Sequence, residues 1–358
     1  MRLALTAFLL AVLAACSTAT PGVAATRTPV PPAPAMPAAS CAATARHLSE
    51  DPRITALVKE ARAQQQAFGG QAIDTAGRLV QAGYQEAEFD RAAGDSVPTW
   101  RKVLRFWEAL GPDALENVRA ADGRNVRLGL LRQALQGVGT ARLHGLGAGN
   151  GTEVGLNARE QSAADTSVLR AALVDTPWSA AFISYVVRNA GFSGDEFRFS
   201  EAHADYVDAA YATSTAEQRD GATALPYGWR ACDIARTAPR PGDLICHTRD
   251  DSAAADTFDK LGAVLAERRN GQRRGGLAMH CDVVVAVDRP AAKLESIGGN
   301  VLQSVTLRRM DLNGVRPPAL SAQYQASQRP ASCARGAAGC ADRRMNQQPW
   351  AVLLQYRK

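Results

Sequence analysis

The stretch DTPWSAAFISYVVRNAGF, residues 175–192, decides how the second half of the chain folds. Apolar residues cover most of its helical circumference, which predicts a helix buried on several sides. Thr176 suits the N-cap, Pro177 suits the first helical position, and Gly191 is a natural helix end. Ser179 falls in the first turn, where unpaired backbone N–H groups and the positive end of the helix dipole stabilise an anionic centre. The serine is therefore a candidate nucleophile, and the alternatives are a relic of a lost active site or an ordinary helix-start residue.

Helical patterns precede this stretch, and strand patterns follow it. Four earlier segments show apolar residues at three- and four-residue spacing, and a polar helix candidate comes later. The helical segments are ITALVKEARAQQQAF (54–68), AGRLVQAGYQEAEFDRAA (76–93), TWRKVLRFWEAL (99–110), VRLGLLRQALQGV (126–138) and EAHADYVDAAYA (201–212). The strand-like runs lie at 243–248, 280–288, 294–300, 301–309 and 350–357. This order predicts an α+β fold, with a helical N-terminal half and a buried helix packed on an antiparallel sheet.

The first 45 residues have the pattern of an export signal and a tether. The apolar run at 3–15 is too short for a permanent membrane span but has the length of a secretory signal. The segment LAAC resembles the bacterial lipobox, which implies a signal peptide at 1–15 and a lipidated Cys16; the alternative is a plain signal peptide. Ser17 at the next position implies sorting to the outer membrane. Residues 16–45, rich in proline and alanine, are typical of a tether.

The composition excludes several classes of function. The net charge of +6 is carried by scattered basic residues without interleaved aromatic residues, which argues against a nucleic-acid partner. The Gly-rich segment 145–160 lacks the lysine and the spacing of a phosphate-binding loop, so no nucleotide cofactor is expected. A metal is not expected either, because His203, His247, His280 and Asp282 lie on different predicted elements without ligand spacing.

Cysteine usage suggests an oxidising compartment. Six cysteines remain after Cys16, an even number that is typical of disulfide pairing: Cys41, Cys232, Cys246, Cys281, Cys333 and Cys340. Cys333 and Cys340 bracket a short loop that a disulfide could close. Cys246 and Cys281 each lie at the end of a predicted strand and could pair across the two strands. The spacing alone does not fix the connectivity.

A nucleophile at Ser179 needs a base within hydrogen-bond reach, and the base needs an orienting partner. His280 begins the apolar strand HCDVVVAVD and is the candidate base. Asn300, at the end of the next strand, is the candidate orienting group. A helix-start nucleophile, a strand-start histidine and a polar residue one strand later follow the order of the papain-type site.

Three further residues are candidates for the walls of a cleft or for an oxyanion site. Trp178 and Ala180 flank Ser179, and core packing is the alternative role for the tryptophan. His203 either lines the cleft or lies on the surface of its helix, and its polar surroundings in sequence favour the surface.

Four motifs in this region resemble those of the CHAP and NlpC-type amidases, the papain-like hydrolases of bacterial cell walls. PWSAAFISYVVRNAGF, RPGDLICHTR, MHCDVVVAVD and IGGNVLQSV follow one another in that family's order, over roughly residues 175–307. They are also similar to a group of uncharacterised bacterial lipoproteins that carry the serine. The resemblance implies the role of nucleophile for Ser179, of base for His280 and of orienting amide for Asn300.

The same resemblance divides the chain behind its tether into two parts. It implies a papain-like core over residues 146–358, which includes an irregular insertion at 311–349. A helical region at 46–145 precedes that core.

Two residues depart from the amidase motifs: Ser179 replaces a cysteine and Gly298 replaces a glutamate. A serine hydroxyl does not ionise as a cysteine thiol can, so it needs general-base catalysis with tighter alignment. The leading hypothesis is a lipid-anchored peptidoglycan hydrolase, an amidase or endopeptidase, whose partners are peptidoglycan peptides and the membrane. The alternatives are an inactive relative that binds wall peptide or a partner protein, and an envelope esterase or acyl transferase.

Overall fold

The computed structural model describes residues 38–358 apart from 89–96, 112–113, 116–117, 119–156, 221–225, 274, 315–317, 326 and 328–344. The described residues include seven α-helices and eight strands. The helices are α1 (Ala38–Thr44), α2 (Pro52–Ala67), α3 (Thr99–Glu108), α4 (Ala158–Asp175), α5 (Ser179–Asn189), α6 (His203–Asp220) and α7 (Phe258–Arg269). The strands are β1 (Ala72–Ile73), β2 (Leu79–Gln81), β3 (Trp229–Cys232), β4 (Leu244–Thr248), β5 (Met279–Asp288), β6 (Lys293–Val301), β7 (Ser304–Asp311) and β8 (Trp350–Tyr356). The α+β class predicted from the sequence is confirmed.

All eight strands belong to one sheet, in the order β2-β1-β7-β6-β5-β4-β8-β3. Neighbouring strands are antiparallel except β1 and β7, which run parallel. Every residue of β4 and β8 is buried, because other parts of the chain cover both faces of the sheet. This central part of the sheet fixes the positions of the polar side chains described below.

The two faces of the sheet carry different apolar cores. Val283 on β5 belongs to the core that contains Phe182 of α5, whereas Val284 belongs to a second core. Successive side chains of a strand point to opposite faces. His280 and Asp282 therefore share the face of Val284, and α5 packs on the other face.

Helix α5 begins at Ser179 and not at the predicted Pro177. Helix α4, which the sequence patterns did not reveal, continues to Asp175, and Thr176 closes it with extended backbone. Thr176 thus ends one helix and does not cap the next. Trp178 is the N-cap of α5 and makes no side-chain capping bond. Ser179 is consequently the first residue of a helix whose leading N–H groups have no intrahelical acceptor.

The helical N-terminal half predicted from the sequence is only partly helical. Helices α2 and α3 match two predicted segments, but the predicted helix at 76–93 is wrong where the structure describes it, because β1 and β2 pair there as a hairpin. The Asp74 carboxylate accepts the N–H groups of Ala76 and Arg78 at 3.0 and 2.9 Å, which fixes a turn. The predicted helix at 126–138 lies outside the described residues.

The tether predicted at 16–45 is too long, because its last residues belong to the folded part of the chain. Residues Ala38–Thr44 form α1, and a disulfide joins Cys41 to Cys232 at the end of β3. The Gln355 amide also donates to the Cys41 carbonyl at 3.0 Å. This helix is therefore attached to the sheet. The predicted signal peptide and Cys16 lie outside the described residues.

A second disulfide joins Cys246 to Cys281, which stand directly opposite each other on β4 and β5. Cys333 and Cys340 lie outside the described residues. Among the helices that the structure describes, none has the length and apolar character needed to cross a membrane.

We expect the Cys41–Cys232 disulfide to stabilise the fold substantially, because it links residues 191 positions apart. Replacing both with alanine should lower the free energy of unfolding by about 2–5 kcal/mol. Guanidinium denaturation of the double variant against the wild type measures the loss, and reduction of the wild type should reproduce at least that loss. An unchanged midpoint in the variant would show that α1 is held without the disulfide.

Candidate functional site

The Ser179 hydroxyl at the start of α5 lies against the imidazole of His203 at the start of α6. Ser179 Oγ is 2.6 Å from His203 Nε2, and the Tyr206 hydroxyl contacts Nδ1 on the other side of the ring. Residues three apart share a helix face, which is why Tyr206 reaches the ring. Ser179 and His203 are only 3% and 5% exposed. Ser179, His203 and Tyr206 therefore form a hydrogen-bonded chain that is almost inaccessible to solvent.

A second imidazole, that of His280, is paired with a carboxylate on its own strand. His280 Nε2 is 2.9 Å from Asp282 Oδ1, which is possible because residues two apart on a strand share a face. Ser296 Oγ donates to Asp282 Oδ2 at 3.0 Å, and Arg308 Nε lies 3.2 Å from the same oxygen. Ser296 and Arg308 stand opposite each other on β6 and β7. The carboxylate is thus buried among three partners from three neighbouring strands.

Electrostatics decide which groups of this cluster are charged. Burial raises the pKa of the Asp282 carboxyl, but Arg308 and His280 outweigh it and hold the pKa at about 2. Burial lowers the pKa of His203 and of His247 well below the ordinary value, and it lowers the pKa of His280 against the opposing effect of Asp282. At neutral pH the carboxylate is ionised and the imidazoles are neutral. Because an ionised carboxylate only accepts, His280 Nε2 carries the proton and Nδ1 is an acceptor.

The two parts of the site meet at the histidine rings. The ring centres of His203 and His280 are 5.3 Å apart, and those of His247 and His280 are 5.2 Å apart. His247 stands opposite His280 in the pairing of β4 with β5. Although these rings and Asp282 are close together, no group of three potential ligands in the described part of the chain is arranged to hold a metal ion.

The structure corrects three expectations about these residues. Ser179 contacts His203 and not His280, because α6 begins beside the start of α5 and inserts its first side chain there. His203 is buried and does not lie on the surface of its helix. The partner of His280 is Asp282 and not Asn300, because the asparagine, whose own backbone has a φ of 52° near the end of β6, bonds instead to Glu86 and Trp178.

Asn300 forms a different set of hydrogen bonds, with Glu86 and Trp178. In the amide orientation that satisfies both neighbours, its nitrogen donates to Glu86 Oε2 at 3.2 Å and its oxygen accepts the Trp178 N–H at 3.3 Å. The Trp178 indole also donates to Glu86. Burial raises the pKa of the Glu86 carboxyl to about 7 despite that bond. Asn300 therefore anchors the residue that precedes Ser179.

Gly298 provides the space in which His280 and Asp282 approach each other. Val283 pairs with Ile297 in the antiparallel register, so the next residue on β6, Gly298, stands opposite Asp282 on β5. A Cβ atom at this position would lie 2.0 Å from Asp282 Oδ1 and 2.8 Å from His280 Nε2. The carboxylate at 282 thus requires a residue without a side chain at position 298.

A cavity of about 190 Å³ opens at the His280 side of the cluster. Its lining includes His247, Arg249, His280, Asn300 and Arg308, and among the described residues it contains no Asp or Glu. Three buried nitrogen atoms of this lining, Arg249 Nε, Arg308 Nε and His280 Nδ1, have no hydrogen-bond partner, although Arg308 Nε lies 3.2 Å from the Asp282 carboxylate as an ion pair. Ser179 and His203 adjoin the cluster but are not part of the lining.

The β6–β7 hairpin forms the mouth of this cavity with strained backbone. Asn300, Leu302 and Gln303 have φ values of 52°, 51° and 60°, in the left-handed region that favours glycine. Leu302 also lines the cavity and is 44% exposed. Strain of this kind is concentrated at functional sites, where surrounding contacts maintain it.

The other residues predicted to belong to the site are buried near it, and their side chains have structural roles. Trp178 is fully buried, with its ring 5.7 Å from Phe68 and 5.5 Å from Phe106, so it is a core residue. Ala180 is the buried second residue of α5, so its N–H belongs to the helix start. Cys246 and Cys281 are joined to each other on the face opposite His280.

A family model described as an uncharacterized protein conserved in bacteria (DUF2272) matches residues 133–356. The chain belongs to this family. The DUF2272 match covers the residues of the site and of the cavity lining except Glu86 and Ile73. No curated protein and no solved structure matches the chain. Because the matching model is that of DUF2272 and not of CHAP or NlpC, the resemblance to those amidases depends on the four sequence motifs.

Several residues of the site escaped the sequence reasoning. The alternation of HCD at 280–282 could have identified Asp282 as the partner of His280, and the three-residue spacing could have linked Tyr206 to His203. Glu86 and Arg308 reach the site only through tertiary packing. No local pattern in the sequence indicates either of them.

Replacing Gly298 with alanine should destabilise the fold by about 1–3 kcal/mol and separate His280 from Asp282, because the new methyl group overlaps the carboxylate. Denaturant unfolding measures the first effect, and ¹⁵N NMR of the imidazole reports the second. Gly194→Ala is the matched control, since no atom lies within 4 Å of its added Cβ. Equal stability of the two variants would contradict the packing.

We expect Glu86 to lower the free energy of unfolding as the pH rises. Its folded pKa of about 7 exceeds the ordinary 4.5, so the contribution of Glu86 to stability falls as pH rises between these values. Glu86→Gln should therefore gain on the order of 1–3 kcal/mol over the wild type at pH 8, with the gain vanishing below pH 4.5. Urea denaturation across this range measures the difference. A difference between Glu86→Gln and the wild type that stays constant across this range would refute the assignment.

Proposed function

We propose that this protein is a serine hydrolase of the bacterial envelope that cleaves an amide bond in peptidoglycan peptides. The observation that carries the proposal is the 2.6 Å contact between Ser179 Oγ and His203 Nε2 at the first residue of a buried helix. The apolar run before Cys16 supports a lipid anchor at the outer membrane, and the four amidase-like motifs support the wall-peptide substrate.

In this mechanism His203 is the general base. Its lowered pKa keeps the ring neutral, so Nε2 accepts the proton of Ser179 while Oγ attacks the carbonyl carbon of the substrate. Nδ1–H donates to the Tyr206 hydroxyl and fixes the ring. The protonated ring then gives its proton to the leaving amine nitrogen as the C–N bond breaks. The same imidazole then takes a proton from water as the water oxygen attacks the acyl carbon, and it returns that proton to Ser179 Oγ as the ester C–O bond breaks.

The start of α5 supplies the stabilisation of the oxyanion. The N–H groups of Ser179 and Ala180 belong to the helix start, and no side chain caps them. Donors fixed before the reaction stabilise negative charge on the carbonyl oxygen without reorganisation. This matters more for a serine than for a cysteine, because the hydroxyl gives no preformed anion.

A second candidate is a binding module without catalysis. It is favoured by the burial of Ser179 and His203 and by the position of the cavity, whose lining contains neither residue. In that case Ser179 and His203 would stabilise the start of α5, and His280 would contact the ligand.

Labelling with a fluorophosphonate probe and release of soluble fragments from murein sacculi test the hydrolase proposal. Ser179→Ala should abolish labelling and reduce fragment release by about 10³-fold or more. Ser167→Ala, an exposed serine on α4, should leave both unchanged. Tyr206→Phe should lower the rate about tenfold or more without abolishing labelling.

The pH profile gives an independent readout. Because the pKa of His203 lies well below its ordinary value of 6.5, the acid limb of the rate should fall below pH 6.5. Labelling with release of acyl groups but not of amide products would indicate an esterase. Absence of labelling, with sacculus binding that survives Ser179→Ala, would refute catalysis and support the binding module.

A further inference from the structure

The cavity beside His280 combines a positive side with a hydrogen-bond acceptor. Arg249 and Arg308 line it, and no described acidic side chain does. The charge of Arg308 is balanced by Asp282, since its Nε lies 3.2 Å from that carboxylate. Arg249 has a buried Nε without a partner. A buried donor of this kind costs free energy until an acceptor reaches it, so the cavity favours an anionic group next to Arg249.

The acceptor is His280 Nδ1. The ionised Asp282 accepts a hydrogen bond from His280 Nε2–H, so Nδ1 presents a lone pair. This atom is also buried and has no hydrogen-bond partner. His247 also presents one acceptor nitrogen. Its Nδ1 lies 3.0 Å from the Thr248 carbonyl, which can only accept, so Nδ1 carries the proton and Nε2 is the acceptor. The cavity is therefore also complementary to a ligand that donates a hydrogen bond.

The ligand that fits has an anionic group and, next to it, an uncharged hydrogen-bond donor. An ammonium group would suit the imidazoles but not the guanidinium groups of Arg249 and Arg308, which already disfavour positive charge on His280. A neutral amide N–H meets the same acceptors without that repulsion. A carboxylate with an adjacent amide N–H is the C-terminal residue of a peptide. The volume of about 190 Å³ is below the roughly 300–1,000 Å³ of sites that enclose a whole small molecule, so it suits one end of a longer chain.

We propose that this cavity binds the C-terminal residue of a peptide, with its carboxylate on Arg249 and its amide N–H on His280 Nδ1. The cavity adjoins the Ser179 site at two points, through the His280–His203 ring contact and through the Asn300 bond to the Trp178 N–H. As a substrate preference the assignment rests on the proposed hydrolase function. As a binding site it does not require Ser179 to react.

Isothermal titration of the full chain carrying Ser179→Ala tests the site without turnover. The probes are N-acetyl-D-alanyl-D-alanine, its C-terminal amide, and the ester analogue N-acetyl-D-alanyl-D-lactate, which lacks the terminal amide N–H. The free acid should bind at least tenfold more tightly than the amide, which has lost the charge for Arg249. It should also bind at least tenfold more tightly than the ester, which has lost the donor for His280. Equal affinities for the three probes, or no binding of the acid, would overturn the proposal.

Arg249→Gln in the same background should weaken binding of the free acid at least tenfold and leave binding of the amide unchanged. Arg159→Gln removes an equal charge from an exposed position on α4 and should change neither affinity. Acetate is the control for unspecific attraction of anions, and equal occupancy of the cavity by acetate and by the acid would contradict recognition of a peptide. Binding of the acid in a protein that shows no fluorophosphonate labelling would leave this site standing while the hydrolase proposal fails.

Discussion

The buried carboxylate of Asp282 is the constraint on which the rest of the site depends. It is fully buried and ionised, with His280, Ser296 and Arg308 as partners. Burying such a group costs several kcal/mol, and its partners often do no more than recover that cost. The arrangement therefore contributes little to stability. What it does determine is the tautomer of His280 and the absence of a side chain at Gly298.

That constraint makes the two neighbouring imidazoles chemically different. His280 has a carboxylate beside it, which favours its protonated form. His203 contacts only the hydroxyls of Ser179 and Tyr206, and burial, His280 and Arg249 disfavour its cation. A weak base beside an un-ionised hydroxyl gives slow proton transfer. Acyl transfer at Ser179 would therefore depend strongly on the N–H groups at the start of α5, more than in a site with an ionised thiol.

The sequence was most informative where the pattern is local. The strands that became β4 to β8 carry runs of apolar residues, and the buried helix shows apolar residues around its whole circumference. The pairing of Ser179 with His203 depends on how α5 and α6 start side by side, which no periodicity encodes. The hairpin at β1 and β2 was missed because Leu79 and Val80 continue a helical spacing, while the Asp74 turn overrides it.

Neighbouring elements determine the surroundings of both Gly298 and Ser179. The space that a side chain at Gly298 would occupy is filled by the carboxylate of Asp282 from the neighbouring strand. The hydroxyl of Ser179 is held by an imidazole at the start of α6. An ionised carboxylate in the core, and Arg249 and His280 nitrogen atoms without partners among the described residues, are costly in the free protein. Groups of this kind are concentrated at functional sites, so the cluster is better explained by a role in binding or chemistry than by a contribution to stability.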